Sequence, residues 1–207
     1  MKFLLGCALI LGIISCNEHK SQAPPRPTLL PKDSSLVKND SVNPYAPLDV
    51  SPMDMSYFPA DYPIEKMSGK ATKLPVARVI YSRPHRQGRR IFGALLKYGE
   101  PWRLGANEAT EIEFFQPVTI QNKRVPKGKY ILYCIPQQDK WQIIFNTNLN
   151  TWGLKTEPKD DIFKFTIPIQ ITNQSIEYFS MVFQKTEKGA DLMMAWDTVV
   201  ARLPIQF

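Results

Sequence analysis

From residue 76 to its end the chain is cut into short apolar runs separated by turn residues, and no run keeps a 3.6-residue period over the length of a helix. Residues 110–115 show the pattern best. Glu111 and Glu113 alternate with Ile112 and Phe114, the period of a strand with one face in a core. Comparable runs occupy residues 76–82, 118–121, 129–135, 141–146, 162–168, 175–184, 190–199 and 202–207. Residues 122–128 read as a turn-rich connection, and Glu187-Lys188-Gly189 as the turn of a late hairpin. Residues 91–98 read as one or two helical turns or a compact loop. About eight or nine short strands with turn signals predict a mainly β fold, an antiparallel β-sandwich. No internal repeat is visible, and one domain over residues 50–207 is the expected count.

The first fifteen residues have a different logic. Lys2 supplies a positive start, and residues 3–14 form an apolar stretch. That stretch is far below the roughly 20 residues that span a bilayer, but it suits a cleaved secretory signal. It ends in Ile13-Ile14-Ser15-Cys16, the aliphatic-small-cysteine pattern of a lipobox. The expectation is a signal peptide over residues 1–15 and a Cys16 that carries diacylglycerol and a palmitate-type chain. The alternative is an ordinary signal cut elsewhere, with a free Cys16 thiol. Two or three acyl chains anchor stably where one is marginal. Asn17 follows the cysteine. In Gram-negative sorting an Asp there favours the inner membrane, so the outer membrane is the expected site.

Export leaves little cysteine chemistry. Of three cysteines, Cys7 leaves with the signal and Cys16 is acylated, so Cys134 stands alone and no internal disulfide can form. Cys134 sits in an apolar run and reads as a buried, inert thiol rather than a nucleophile. The fold must stand on its hydrophobic core.

Residues 16–49 read as the lipidated cysteine and a Pro/Ser-rich tether without hydrophobic periodicity. Residues 50–69 interleave Met53, Met55, Tyr57, Phe58, Tyr62 and Met67 with Pro52, Pro59 and Pro63. This predicts an irregular segment packed along the domain, with a sticky partner-binding strip as the alternative.

The net charge of +7 suits anionic partners such as lipid head groups or acidic glycans. It is mixed and modest, and with export it argues against nucleic acid. Arg78, Arg83, Arg86, Arg89 and Arg90 fall in one stretch with His85. Guanidinium groups grip carboxylate or phosphate in bidentate fashion. The structural alternative is a solvated loop with an Arg paired to Glu108 or Glu111. Residues 102–110 concentrate Trp102, Arg103, Asn107 and Glu108 around Gly105, an aromatic face plus the planar polar groups that sugar hydroxyls need. The competing view makes Trp102 core and Asn107 a backbone partner. Asn146, Asn148 and Asn150 lead to Trp152-Gly153, a loop expected at the same sandwich end.

Catalytic schemes find little support. After signal removal only His19 and His85 remain, which excludes a histidine-rich metal site, and no cysteine pair exists for zinc. Ser82 lies beside His85 without a nucleophile elbow. Glu108, Glu111, Glu113, Asp160 and Asp161 are the carboxylates from which a glycoside-hydrolase pair would be drawn. Phosphate loops are absent.

Several strings resemble a known family: Tyr81-Ser82-Arg83-Pro84, Gly88-Arg89-Arg90-Ile91-Phe92-Gly93, and Pro101-Trp102-Arg103-Leu104-Gly105-Ala106-Asn107-Glu108-Ala109-Thr110. Pro126-Lys127-Gly128-Lys129-Tyr130, Phe145-Asn146 and Trp152-Gly153 add to them. Over residues 51–207 the chain resembles the family called domain of unknown function 2911. The resemblance implies an exported, largely β domain, often on bacterial lipoproteins, and it carries no assigned activity and no catalytic residues.

The expectation is a cell-envelope lipoprotein, membrane-bound through Cys16, with no cofactor and no metal. Its domain binds a glycan or anionic envelope component without catalysis, through Trp102, Arg103, Asn107, Glu108, Arg83, Arg86, Arg89 and Trp152. A protein-partner or scaffold role is the alternative, and a carboxylate-dependent glycan hydrolase a minor one.

Overall fold

The computed structural model describes residues 49–207. The expected signal, Cys16 and the tether through residue 48 lie outside the described residues.

The described chain is a mainly β structure of nine strands. They are β1 (Met53–Phe58), β2 (Ala77–Ser82), β3 (Thr110–Phe114), β4 (Val118–Ile120), β5 (Lys123–Val125), β6 (Gly128–Pro136), β7 (Lys140–Asn146), β8 (Asp161–Thr186) and β9 (Gly189–Gln206). The hydrogen-bonded order is β1-β2-β3-β6-β7-β8-β9-β4-β5, and every pairing is antiparallel.

One strand makes this order a sandwich. The first part of β8 pairs with β7, from Asn146↔Asp161 to Lys140↔Pro168. From Ile169 onward it pairs with β9, out to Thr186↔Gly189. β8 therefore belongs to both sheets and turns the corner between them.

Alternation explains which faces meet. In β2 Ala77, Val79 and Tyr81 are buried, and in β3 Thr110, Ile112 and Phe114, with half-buried Arg78, Ile80, Glu111 and Glu113 between them. Their partners across the core are Phe179, Met181 and Phe183 of β8 and Leu192, Met194 and Trp196 of β9. Burying each such side chain contributes about 1.5–3 kcal/mol. At one end of the core the packing is aromatic. Trp102 meets Phe92, Trp141 and Phe179 edge-on and stacks on Trp196 at 5.9 Å. β6 and β7 are buried on both faces, because the connection after β7 covers Ile131 and Tyr133.

The structure departs from the sequence expectations in three places. The runs at 162–168 and 175–184 are one continuous β8, and those at 190–199 and 202–207 one β9. β5 lies inside the expected turn-rich connection, paired with β4. Residues 53–67 are not irregular: β1 is a regular edge strand and Tyr62–Met67 is a helix, α1. Residues 91–98 take the compact-loop form, closed by Leu96 N–H donating to Ile91 O.

β8 is long because it bulges rather than stops. Residues 172–175 lie opposite the single Thr198, and residues 177–179 opposite the single Trp196. Bulges bend a strand and re-aim its side chains. Asp197, between these two, takes φ +54.

Candidate functional site: a basic cleft at the bulged end of the sandwich

The bulge of β8 receives the loop that follows β2. Arg86 N–H donates to Glu177 O at 2.7 Å, and Phe179 N–H to Pro84 O at 3.1 Å. Gln87 N–H donates to Glu177 Oε1 at 2.9 Å. The His85 ring stacks on Tyr178 at 4.5 Å, and its Nε2 lies 2.9 Å from Glu177 Oε1.

Three of the arginines are consumed by this architecture. Arg86 Nε lies 3.0 Å from Asp197 Oδ1, and Asp197 Oδ2 accepts from Ile91 N–H at 3.1 Å. Arg83 Nη1 lies 3.4 Å from Asp54 Oδ2, and its guanidinium sits over Tyr178. Arg78 pairs with Glu113. The expected partners were Glu108 and Glu111. The acids that serve are Asp54 of β1, Glu177 of β8, Asp197 of β9 and Glu113, because antiparallel pairing brings remote strands to the loop.

Arg89 differs. Its Nε and Nη2 donate to Arg86 O and His85 O at 2.8 and 2.6 Å. It forms no ion pair among the described residues. Arg103 is similar, its Nη1 donating weakly to Trp152 O at 3.4 Å. Partial burial holds the Arg103 pKa below its usual value, partly offset by the charge of Glu108.

The loop carrying Arg103 is held under backbone tension. Leu104 and Asn107 both take positive φ, +55 and +57, a costly region for a buried leucine. Surrounding bonds enforce it. Trp102 Nε1 donates to Gly105 O at 3.1 Å, Thr110 Oγ1 to Leu104 O at 2.8 Å, and Ser82 Oγ to Ala106 O. A Cβ on Gly105 would lie 3.1 Å from Ser82 O and 3.3 Å from Ser82 N, so a side chain there would push the loop off β2 by a few tenths of an ångström.

This geometry sorts the sequence candidates. Trp102 is 6% exposed, so its ring is core and offers no free face to a sugar. Asn107 Nδ2 donates to Ser51 O at 3.0 Å and reaches the Asp49 carboxylate at 3.2 Å, pinning the chain before β1. Glu108 is exposed. Trp152 is 57% exposed and lines its own hollow with Asn148 and Asn150. Its neighbour Gly153 packs on Arg103 and Ala109, where a Cβ would lie 3.1 Å from each side chain. The Trp-Gly loop therefore does reach the Arg103 loop.

Between these loops lies a cleft of about 410 Å³. Trp102, Trp196, Pro84, Leu95, Leu96 and Leu154 give it apolar walls. Arg89, Arg103, His85 and Gln87 supply polar groups, and among the described residues no carboxylate lines it. Arg83, Arg86, Asn107, Glu108 and Trp152 lie outside this lining. Sequence reasoning missed Val50, Ser51, Leu154 and Trp196. Leu154, two residues past Trp152 and 75% exposed, had a nearby signal, and Val50 and Ser51 open the strip over residues 50–69; Trp196 had none.

Other candidates are accounted for elsewhere. The Asp161 carboxylate accepts from Tyr133 OH and Asn146 Nδ2 at 2.9–3.0 Å and pairs with Lys164 at 3.1 Å. Burial, then Asp161, pushes the Tyr133 phenol up to about 12. Cys134 is fully buried, which drives its thiol pKa well above normal. Among the described residues no group of three or more His, Cys, Asp or Glu is placed to hold a metal ion. Among them, too, no helix is long and apolar enough to cross a membrane.

The loops that carry Arg89, Arg103 and Leu154 fall inside a stretch matched by one family. The model described as Protein of unknown function (DUF2911) covers residues 63–205. The chain belongs to this family. No curated protein matches it, and neither does any solved structure. In this DUF2911 member, Val50 and Ser51 add a cleft wall from outside the matched stretch.

Proposed function

We propose that this DUF2911 protein is an envelope lipoprotein, anchored through Cys16 in the outer membrane, whose domain binds an anionic ligand in the cleft without transforming it. One observation carries the reading: Arg89 and Arg103 line a partly apolar cleft to which the described residues contribute no carboxylate. Next to it the same chain neutralises Arg83 with Asp54, and Arg86 with Glu177 and Asp197. Two guanidinium groups with no ion pair among the described residues, set beside apolar walls, suit a carboxylate or phosphate on a ligand with an apolar side. An acidic glycan or an anionic envelope component has that character. If a sugar ring stacks, Trp152 is the ring with an open face.

The test is a titration of the full chain with acidic glycans and soluble envelope-lipid head groups. Binding that weakens at least tenfold in Arg103→Ala and in Arg89→Ala, with Tm unchanged, supports the reading. Wild-type protein that binds none of these anions overturns it. The exposed Trp152 and Leu154 beside the rim favour a second reading, an envelope protein partner. Pull-down from envelope extracts lost in Trp152→Ala but kept in Arg103→Ala would select it.

A further inference from the structure

A separate feature lies between β1 and β2. These strands are antiparallel neighbours, and a two-residue turn suffices for such a pair. Here the chain instead makes an excursion over residues 59–76, closed at its base by Val76 N–H donating to Phe58 O at 2.8 Å. The excursion is ordered. It contains α1, and after Gly69 at φ +72 the amides of Lys70 and Ala71 return to Glu65 O at 2.8 and 3.1 Å.

Its helix is oriented inside out. At about 100° per residue, Tyr62 and Lys66 share one side and Ile64 and Met67 the other. Tyr62 is buried, with Lys66 over its ring. Ile64 is 65% and Met67 84% exposed, and Leu74, near the end of the excursion, is 71% exposed. Lys66, Lys70 and Lys73 are interleaved with them and form no ion pair among the described residues. Asp61, at the helix start, and Glu65 are the acids of the excursion.

We propose that this knob docks the domain on an anionic lipid surface, Ile64, Met67 and Leu74 entering the head-group region and Lys66, Lys70 and Lys73 meeting its phosphates. Apolar side chains turned outward among lysines are the composition of interfacial membrane contacts. A second copy of the chain would leave those lysines facing one another. The docking does not depend on acylation of Cys16, although an anchor there would raise its occupancy by tethering.

The experiment places an environment-sensitive fluorophore on Met67→Cys in the full chain carrying Cys7→Ser and Cys16→Ser; the remaining Cys134 is fully buried. Emission should shift to the blue on phosphatidylglycerol vesicles and stay aqueous on phosphatidylcholine. Each Lys→Gln replacement should lower the inserted-to-free ratio about fivefold. A label on Lys140→Cys should not respond. An aqueous signal on phosphatidylglycerol, or an equal shift on both lipids, overturns the proposal. A lipid-free shift that grows with protein concentration also overturns it, in favour of self-association.

Discussion

Arg86 and Arg89 leave one loop three residues apart and meet opposite fates. Arg86 is clamped by Asp197 at 3.0 Å and approached by Glu177 at 3.8 Å. Arg89 bonds only to backbone carbonyls and faces the cleft. Trp102 and Trp152 divide in the same way, one at the centre of an aromatic cluster and the other open to solvent. Residue type therefore does not distinguish the structural half of this end of the molecule from the available half. What separates them is whether β8 and β9 arrive with a partner.

That division can be broken experimentally, starting with the tryptophans. Trp102→Ala should cost about 4 kcal/mol, since it empties a packed aromatic site, and lower Tm by roughly 10 °C. Trp152→Ala should stay within about 0.5 kcal/mol. Thermal unfolding of both variants decides the matter, and equal losses would erase the distinction.

The next largest effect concerns the paired arginine. Asp197→Ala leaves Arg86 only the more distant Glu177 and leaves Ile91 N–H without an acceptor. A loss of about 3 kcal/mol is expected in denaturant unfolding, the low end for a broken buried pair because Arg86 is partly exposed. Arg89→Ala, by contrast, should leave the unfolding midpoint within about 0.5 kcal/mol of wild type. A large loss in Arg89→Ala would move that residue to the structural side.

Phenol ionisation gives a subtler effect. Burial pushes Tyr81 and Tyr133 each up to about 12. Between pH 10 and 12 the folded state keeps protons that the unfolded chain releases, so stability must fall as pH rises through that window. Tyr81 OH donates to Asp54, the partner of Arg83, at 3.1 Å. Tyr133 lies beneath the Trp152 loop, away from that pair. Tm measured from pH 9 to 12 should decline less steeply in Tyr81→Phe and in Tyr133→Phe than in wild type. An unchanged slope in either variant would remove that phenol from the account.

The candidate site was only partly legible. Arg89, Arg103 and the Trp-Gly loop could be named because they lie in short, polar, non-repetitive segments. Trp102 could be named but not placed, since nothing local says which face of an aromatic ring is covered. Asn107 looked like a ligand group, yet it ties down Ser51, a contact 56 residues away. Asp54, Glu177 and Asp197 carried no signal, because their importance arises from pairing across strands. The runs at 162–168 and 175–184 look like two strands because Thr172, Asn173 and Gln174 form a polar break before the second, which the fold absorbs in a bulge.

By itself the sequence determined the strand character of residues 110–114, the hairpin at Glu187-Lys188, the burial of Cys134 and the family. These follow from period, turn chemistry and local strings, all readable within a few residues. Only the tertiary structure decided which arginines are neutralised, which tryptophan is open, and that α1 turns its apolar side outward. Each of those depends on groups that antiparallel pairing and a bulge bring together from distant strands, and the free energy of an ion pair or a buried ring lies in that meeting.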